Sequence, residues 1–314
     1  MIRKYFVVAM SMLVLSTPMS GYSADLRLES AYVVNGIDDL QPSGMAYCQG
    51  KLLFVSDKHD HEIYELLPGE NGIATARKFM DVNNIPEPPQ QSFPFWTNVK
   101  RFFAELFGIS GGGDWEGLAC NDRGDYYLAS EYYFSVLKIE ADGTKSWIGS
   151  DLYNVGYDAG LFQKDNAYFE GISLKGENEI ILAAEREPRG FLVIAEGGDV
   201  KTYVQPGSVM SDEGLPLDFT GLDMRGPRLF ALERNHYKVC ELEADYSEKE
   251  CYSYRKIALS DEWGYSTGKY GLAEGLAINS DSIWIIVDNN GDERRQGTND
   301  SRSTLMKFHN PFSM

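Results

Sequence analysis

Eight carboxylates stand at matched places along this chain: Asp57, Glu116, Glu131, Glu170, Glu185, Glu233, Glu274 and Asp288. Each begins or closes a short apolar run. Five related phrases open the runs: Pro42-Ser43-Gly44-Met45-Ala46, Trp115-Glu116-Gly117-Leu118-Ala119, Phe169-Glu170-Gly171-Ile172-Ser173, Phe219-Thr220-Gly221-Leu222-Asp223 and Ala273-Glu274-Gly275-Leu276-Ala277. From the second residue of a phrase to the acid closing the next run the separation is nearly constant. It is 14 residues for Ser43 to Asp57, 15 for Glu116 to Glu131, 15 for Glu170 to Glu185, 13 for Thr220 to Glu233 and 14 for Glu274 to Asp288. In an antiparallel hairpin the start of one strand lies beside the end of the next, so this spacing brings all eight acids to one rim.

Like charges at that density cannot all stay ionised without protons, neighbouring bases or a bound metal. Oxygen-only ligands suit calcium first, with magnesium or manganese as the alternative. The chain has four histidines, and of these only His59 and His61 are close together, which disfavours a histidine-rich zinc site. Bases follow the closing acids: Lys58, Arg186, Arg234, and Arg294 with Arg295 beyond Asp288. They read equally as a clamp for a phosphate or carboxylate ester and as internal counter-ions to the ring. In the first reading Asp57, Glu116, Glu131, Glu185, Glu233, Glu274 and Asp288 hold the metal. Lys58, Arg186 and Arg234 hold the anion, and Glu170 is the general base. The loop from Asp288 to Glu293 reads as a calcium loop or as a plain turn.

The elements that must position these groups follow from the phrases. Their glycines are 73, 54, 50 and 54 residues apart, and a period near 50 built of strand-like runs and Gly/Asp/Asn turns predicts a β-propeller with one four-stranded blade per repeat. The second repeat shows four strands, Glu116–Cys120, Asp125–Glu131, Phe134–Glu140 and Lys145–Gly149. The expected fold is all-β, a propeller of five blades, with six as the alternative. Leu26–Val34 pairs with the last blade and closes the ring.

The long interval between the first two phrases carries an insertion, residues 86–113. Within 97–107, Val99, Phe102, Phe103, Leu106 and Phe107 share one helical face. That helix reads either as packing on the propeller or as a lid or protein-partner contact. Ser110 sits in a G-x-S-x-G string without the strand–turn–helix context a nucleophile needs. The Tyr132-Tyr133-Phe134 stretch offers a further rim surface for a protein or glycan.

Residues 1–24 have the form of a secretory signal: Arg3 and Lys4, an apolar run from Tyr5 to Leu15, then small residues to Ala24. A periplasmic or secreted protein without a stable membrane anchor is expected, with residues 25–314 as one propeller domain. The formal charge of −18, more negative still without the leader, excludes nucleic acid as a natural partner. Four cysteines in an exported chain invite disulfides. Cys240 and Cys251 flank a turn and are expected to pair, whereas the Cys48–Cys120 pairing is left open, since neighbouring inner strands can lie beyond the roughly 7 Å Cα limit.

The Glu-Gly-Leu-Ala phrase, Ser130-Glu131 and Ile285-Ile286-Val287-Asp288-Asn289 resemble the phytase-like family of exported bacterial β-propellers, also described by an esterase-like phytase domain. The resemblance runs from about Leu26 to the C-terminus. It implies an acidic, calcium-favouring centre and phosphoester or ester hydrolysis. The calcium-dependent phytases have six blades, against the five counted here. The expected function is therefore a calcium-dependent hydrolase of a small anionic ester, a lactone being a lesser option. The competing expectation is a calcium-stabilised propeller that binds a protein or glycan.

Overall fold

The structure, a computed structural model, describes residues 23–89, 91, 93, 112–205, 210–211, 214–266, 272–297 and 299–312. The leader, the helix expected over 97–107 and Ser110 lie outside the described residues.

The apolar runs form strands as expected. The chain begins with β1 (Ala24–Asp25) and β2 (Leu28–Asn35), and the first phrase opens β3 (Pro42–Cys48), β4 (Lys51–Ser56), β5 (Glu62–Pro68) and β6 (Ile73–Asp81). The second phrase opens β7 (Trp115–Cys120), β8 (Tyr126–Ser130), β9 (Ser135–Ile139) and β10 (Lys145–Ile148), followed by helix α1 (Leu152–Ala159). The third opens β11 (Phe169–Lys175), β12 (Glu179–Ala184), β13 (Gly190–Ile194) and β14 (Val200–Val204). The fourth opens β15 (Gly221–Arg225), β16 (Arg228–Glu233), β17 (Lys238–Leu242) and β18 (Glu248–Ser253), followed by helix α2 (Arg255–Ala258). The last opens β19 (Ala273–Ile278), β20 (Ser282–Val287) and β21 (Thr304–His309).

These strands make four hydrogen-bonded sheets, ordered β10-β9-β8-β7, β11-β12-β13-β14, β1-β18-β17-β16-β15 and β19-β20-β21-β2-β6-β5-β4-β3. In the eight-stranded sheet β2 pairs antiparallel with β21, as expected for Leu26–Val34, and also parallel with β6. Chain start, last repeat and first repeat are thereby joined in one ladder. The short β1 covers the outer edge of β18. Both contacts remove open sheet edges.

The opening strands of the five phrases stand side by side in a closed ring, β3 by β7, β7 by β11, β11 by β15, β15 by β19 and β19 by β3. The phrase glycines explain how they come so close. A Cβ at Gly44 would lie 2.6 Å from the Gly117 Cα, one at Gly117 3.0 Å from the Ile172 nitrogen, and one at Gly171 3.2 Å from the Leu222 nitrogen. Continuing round, a Cβ at Gly221 would lie 3.0 Å from the Leu276 nitrogen and one at Gly275 3.0 Å from the Met45 nitrogen. Each glycine therefore abuts the next copy of its own phrase, and the fifth returns to the first. This is a β-propeller, mostly β, with its sheets radiating from a ring of inner strands.

Middle strands such as β8 and β20 are buried along their whole length, whereas outer strands such as β6 and β18 are largely exposed. Apolar faces of neighbouring sheets pack together: Phe230, Leu232 and Val239 share one core with Leu276, Ile285 and Met306. Both cysteine pairs are bridged. Cys240 faces Cys251 across the β17–β18 ladder, as expected. Cys48 and Cys120, with Cα atoms 5.9 Å apart, join β3 to β7; the glycine contacts bring these inner strands within the limit that had left the pairing open.

Candidate functional site

The acids reach one rim through a repeated irregularity. In four of the opening hairpins the register slips by one residue at the phrase: between Pro42 and Gly44, Trp115 and Gly117, Phe169 and Gly171, and Ala273 and Gly275. The bulged residue is Ser43, Glu116, Glu170 or Glu274, so the extra residue that leaves the ladder is in three cases the acid itself. A bulge re-aims a side chain at a sheet end. The acid closing the partner strand is held alongside by its own backbone. The N–H of Glu131 donates to the Asp114 carbonyl at 3.0 Å, that of Glu185 to Tyr168 at 2.8 Å, and that of Asp288 to Leu272 at 2.9 Å.

The carboxylates are electrostatic neighbours around the mouth. Burial raises the Glu116 carboxyl well above the usual carboxylate range, and Glu170, Glu131, Asp114 and Asp57 add to the effect. Glu131 is raised likewise by burial and by Glu170 and Asp114, with Arg186 and the Tyr168 N–H opposing. Burial carries Glu170 up to about 8 against the pull of Arg234 and Arg186. Glu274 is pushed up to about 7 and Asp288 to about 6, again chiefly by burial. Asp57 is raised by burial, and Asp288 counts it among its own neighbours, which closes the circle.

The bases are unevenly placed. Arg234 donates through Nε to Asp218 at 2.9 Å, through Nη1 to Glu274 at 2.5 Å and through Nη2 to Glu185 at 2.5 Å. Burial alone would lower the Arg234 pKa, and Glu274, Asp218 and Glu170 together more than offset it. Arg186 pairs with Glu185 and donates to the Asn166 carbonyl at 3.0 Å. Lys58 lies at the rim, half exposed, 3.3 Å from Asp57. In the second repeat, one carboxylate oxygen each from Asp114, Glu116 and Glu131 can be taken within 4.8 Å of one another.

Glu233 does not join this ring. It bonds Arg189, with His236 Nδ1 3.5 Å away, and these partners offset its burial and hold it at about 2. Arg189 turns it outward: its Nη2 also reaches Glu248 at 2.8 Å. Arg294 and Arg295 also face elsewhere, toward Thr304 and the Arg302 carbonyl, and toward the Leu259 and Tyr265 carbonyls. The loop after Asp288 folds on itself: the Asn290 N–H donates to Asp288 Oδ1 at 3.0 Å and Asn289 Nδ2 to the Asp292 carbonyl at 2.6 Å. That is a turn. Phe134 is no rim residue either; it is buried among Tyr153, Tyr168 and Phe169.

Two site residues were not among the sequence candidates, Asp114 and Asp218. Their signal is shared, since both immediately precede the aromatic residue of a phrase, in Asp114-Trp115-Glu116-Gly117 and Asp218-Phe219-Thr220-Gly221. Asp218 is fully buried and also accepts the Asn235 N–H at 2.8 Å.

Asp114, Glu116 and Glu131 fit a hard divalent cation in donor chemistry, being oxygen ligands from one crowded corner. Asp57 Oδ1, Glu185 Oε2 and Glu274 Oε2 are buried without a hydrogen-bond partner among the described residues, so the mouth has more acceptor capacity than its own donors satisfy.

The chain matches no protein-family model and no curated protein. Solved structures similar to it include Myxococcus xanthus glutaminyl cyclase, at 11% identity and a TM-score of 0.47 over 91% of this chain and 99% of that one. A putative gluconolactonase is similar at 13% identity and a TM-score of 0.43, over 91% of this chain and 84% of the other. Virginiamycin B lyase from Staphylococcus aureus gives 10% and 0.40, over 87% and 68%. Likeness at this level assigns no family. Among the described residues no helix is long and apolar enough to cross a membrane.

Proposed function

We propose that this chain is an exported, phytase-like hydrolase of a small phosphoester or ester, built as a five-bladed propeller in which the eight-stranded sheet counts as two blades. The reading rests on one observation: the Asp114, Glu116 and Glu131 carboxylates converge beside Glu170. Asp114, Glu116 and Glu131 would hold a divalent cation, calcium in the first place and magnesium or manganese otherwise. Such an ion supplies charge to polarise a phosphoryl or carbonyl oxygen and to acidify water.

The chain's own residues do the rest. Glu170, raised to about 8, is matched to taking a proton from a water near neutral pH. Lys58, half exposed at the rim, meets the anionic group. Arg186 approaches from the Glu131 side. Arg234 is not available for that task, since its donors already end on Glu185, Asp218 and Glu274; it holds the acids together from within. Asp57 and Asp288 line the mouth beside Lys58 and set the charge a substrate meets on entry.

The saturation of Arg234 also favours a second reading, a calcium-stabilised propeller that binds a protein or glycan and has no chemistry of its own. Calorimetric titration of metal-stripped mature protein with calcium separates them, repeated with phosphate monoesters, carboxylic esters and a lactone. Binding of an ester only to the calcium form supports the hydrolase. Calcium binding without any ester supports the second reading, and no calcium binding overturns both.

A further inference from the structure

Asp60 lies in the turn between β4 and β5, in the first repeat, and belongs to none of the acids above. Its side chain is 14% exposed, with Oδ1 3.4 Å from His61 Nε2, and its Oδ2 faces the entry of the second repeat. There its Oδ2 accepts the Gly113 N–H at 2.8 Å, and its backbone carbonyl accepts Trp115 Nε1 at 2.5 Å. The carboxylate sits where a side chain at position 112 would be: a Cβ at Gly112 would lie 1.2 Å from Asp60 Oδ2.

The residue between these two contacts is Asp114. The next peptide groups are pinned from the other side, Ser130 Oγ donating to the Gly113 carbonyl at 2.5 Å and the Glu131 N–H to the Asp114 carbonyl at 3.0 Å. Trp115, fully buried and stacked on Trp147, forms the floor. Asp114 is thus held at φ +46°, in the left-handed region that aspartate tolerates but does not prefer. Without the clamp this segment loses the contact that fixes the Gly113 N–H from the first repeat, and the Asp114 carboxylate is less firmly held toward Glu116 and Glu131.

We infer that Asp60 is a positioning residue for the cation site: by accepting the Gly113 N–H from a neighbouring sheet, it fixes Asp114 in the geometry that completes the Asp114, Glu116 and Glu131 cluster. This rests on the cation reading of that cluster. It assigns Asp60 a role distinct from ligation, one that needs an acceptor oxygen and not a charge. It also gives Gly112 a reason to be glycine.

The test compares calcium titrations of full-length mature wild type, Asp60→Ala, Asp60→Asn and Gly112→Ala, with thermal melting of each metal-free protein. Loss of an outer contact that orients a ligand weakens metal affinity by about 10–100-fold, and that loss is expected for D60A and G112A. D60N keeps the amide oxygen as acceptor and is expected to bind calcium within about threefold of wild type, on the ground that an isosteric acceptor preserves the bond. Metal-free melting should change little across the set. Unchanged calcium affinity in D60A overturns the inference, as does an equal loss in D60N, which would mean that the charge and not the contact matters. A drop in metal-free melting with calcium affinity intact would make Asp60 a structural tether and also overturn it. A wild type that binds no calcium removes the cation reading itself, and the inference falls with it; that result is told apart because it appears before any variant is made.

Discussion

Arg234 Nη1 lies 2.5 Å from Glu274 Oε1, although the two residues are 40 positions apart and belong to different sheets. The same guanidinium also holds Asp218 and Glu185, so one base ties three acids from neighbouring repeats across the channel mouth. Its removal leaves those carboxylates facing one another. Breaking a buried ion pair by deleting one partner costs about 3–5 kcal/mol, and a loss of that size is expected for Arg234→Met in denaturant unfolding at neutral pH. An unchanged midpoint would show that the acids are neutralised by other means.

Glu170 is expected to separate chemistry from scaffold. Glu170→Gln removes the proposed base and keeps the shape, so turnover of an accepted ester should fall by about 10²–10⁴-fold with the melting temperature nearly unchanged. A fall in melting temperature without loss of turnover would exclude Glu170 as the base.

The pH dependence of the metal-free protein follows from folded values of about 8 for Glu170, about 7 for Glu274 and about 6 for Asp288. All lie above the usual unfolded value near 4. Between the unfolded and folded values the native state holds more protons than the unfolded chain, so stability decreases as pH rises. The contribution is complete below about pH 4 and is lost as pH passes through about 6–8. Glu233, held at about 2, acts in the opposite sense, its contribution lost as pH falls below about 4 toward 2. Melting curves in chelator from pH 3 to 9 should therefore decline on the alkaline side, and calcium should flatten that decline. Melting that rises from about pH 5 to 8 in chelator would contradict the assigned burial of these groups.

Cys48 and Cys120 close the ends of β3 and β7 opposite to the acidic mouth. Replacing both by serine is expected to lower stability by about 2–5 kcal/mol while leaving calcium affinity unchanged, because the bridge joins strands and not ligands. Differential scanning calorimetry with and without reductant, beside a calcium titration, checks both halves.

Gly44→Ala places a methyl 2.6 Å from the Gly117 Cα, against backbone that cannot swing away. Overpacking of this kind costs about 1–3 kcal/mol or more, and the same change at Gly197, where a Cβ meets nothing within 4 Å and the backbone is not left-handed, isolates the contact from the loss of glycine itself. Equal effects at the two positions would argue against the ring contact.

The sequence alone determined the repeat, its strands and the rim on which the acids stand. Apolar runs between turns specify strands locally, and a constant spacing within hairpins specifies which ends lie together. The Cys240–Cys251 bridge was legible for the same reason, since both residues belong to one hairpin. What joins hairpin to hairpin was not legible. The phrase glycines are recognisable as a motif, but only the closed ring shows that each makes room for the next. The bulges that re-aim Glu116, Glu170 and Glu274, and the parallel seam between β2 and β6, appear only in the folded register. Charge partners were decided at that level too. Glu233 occupies the same position in its repeat as Glu131 and Glu185, yet Arg189 draws it out of the ring, whereas Asp114 and Asp218 enter it one residue ahead of the phrase. Hairpin geometry is set by neighbours in sequence; which guanidinium meets which carboxylate is set by distances across the channel, and those exist only once the ring has closed.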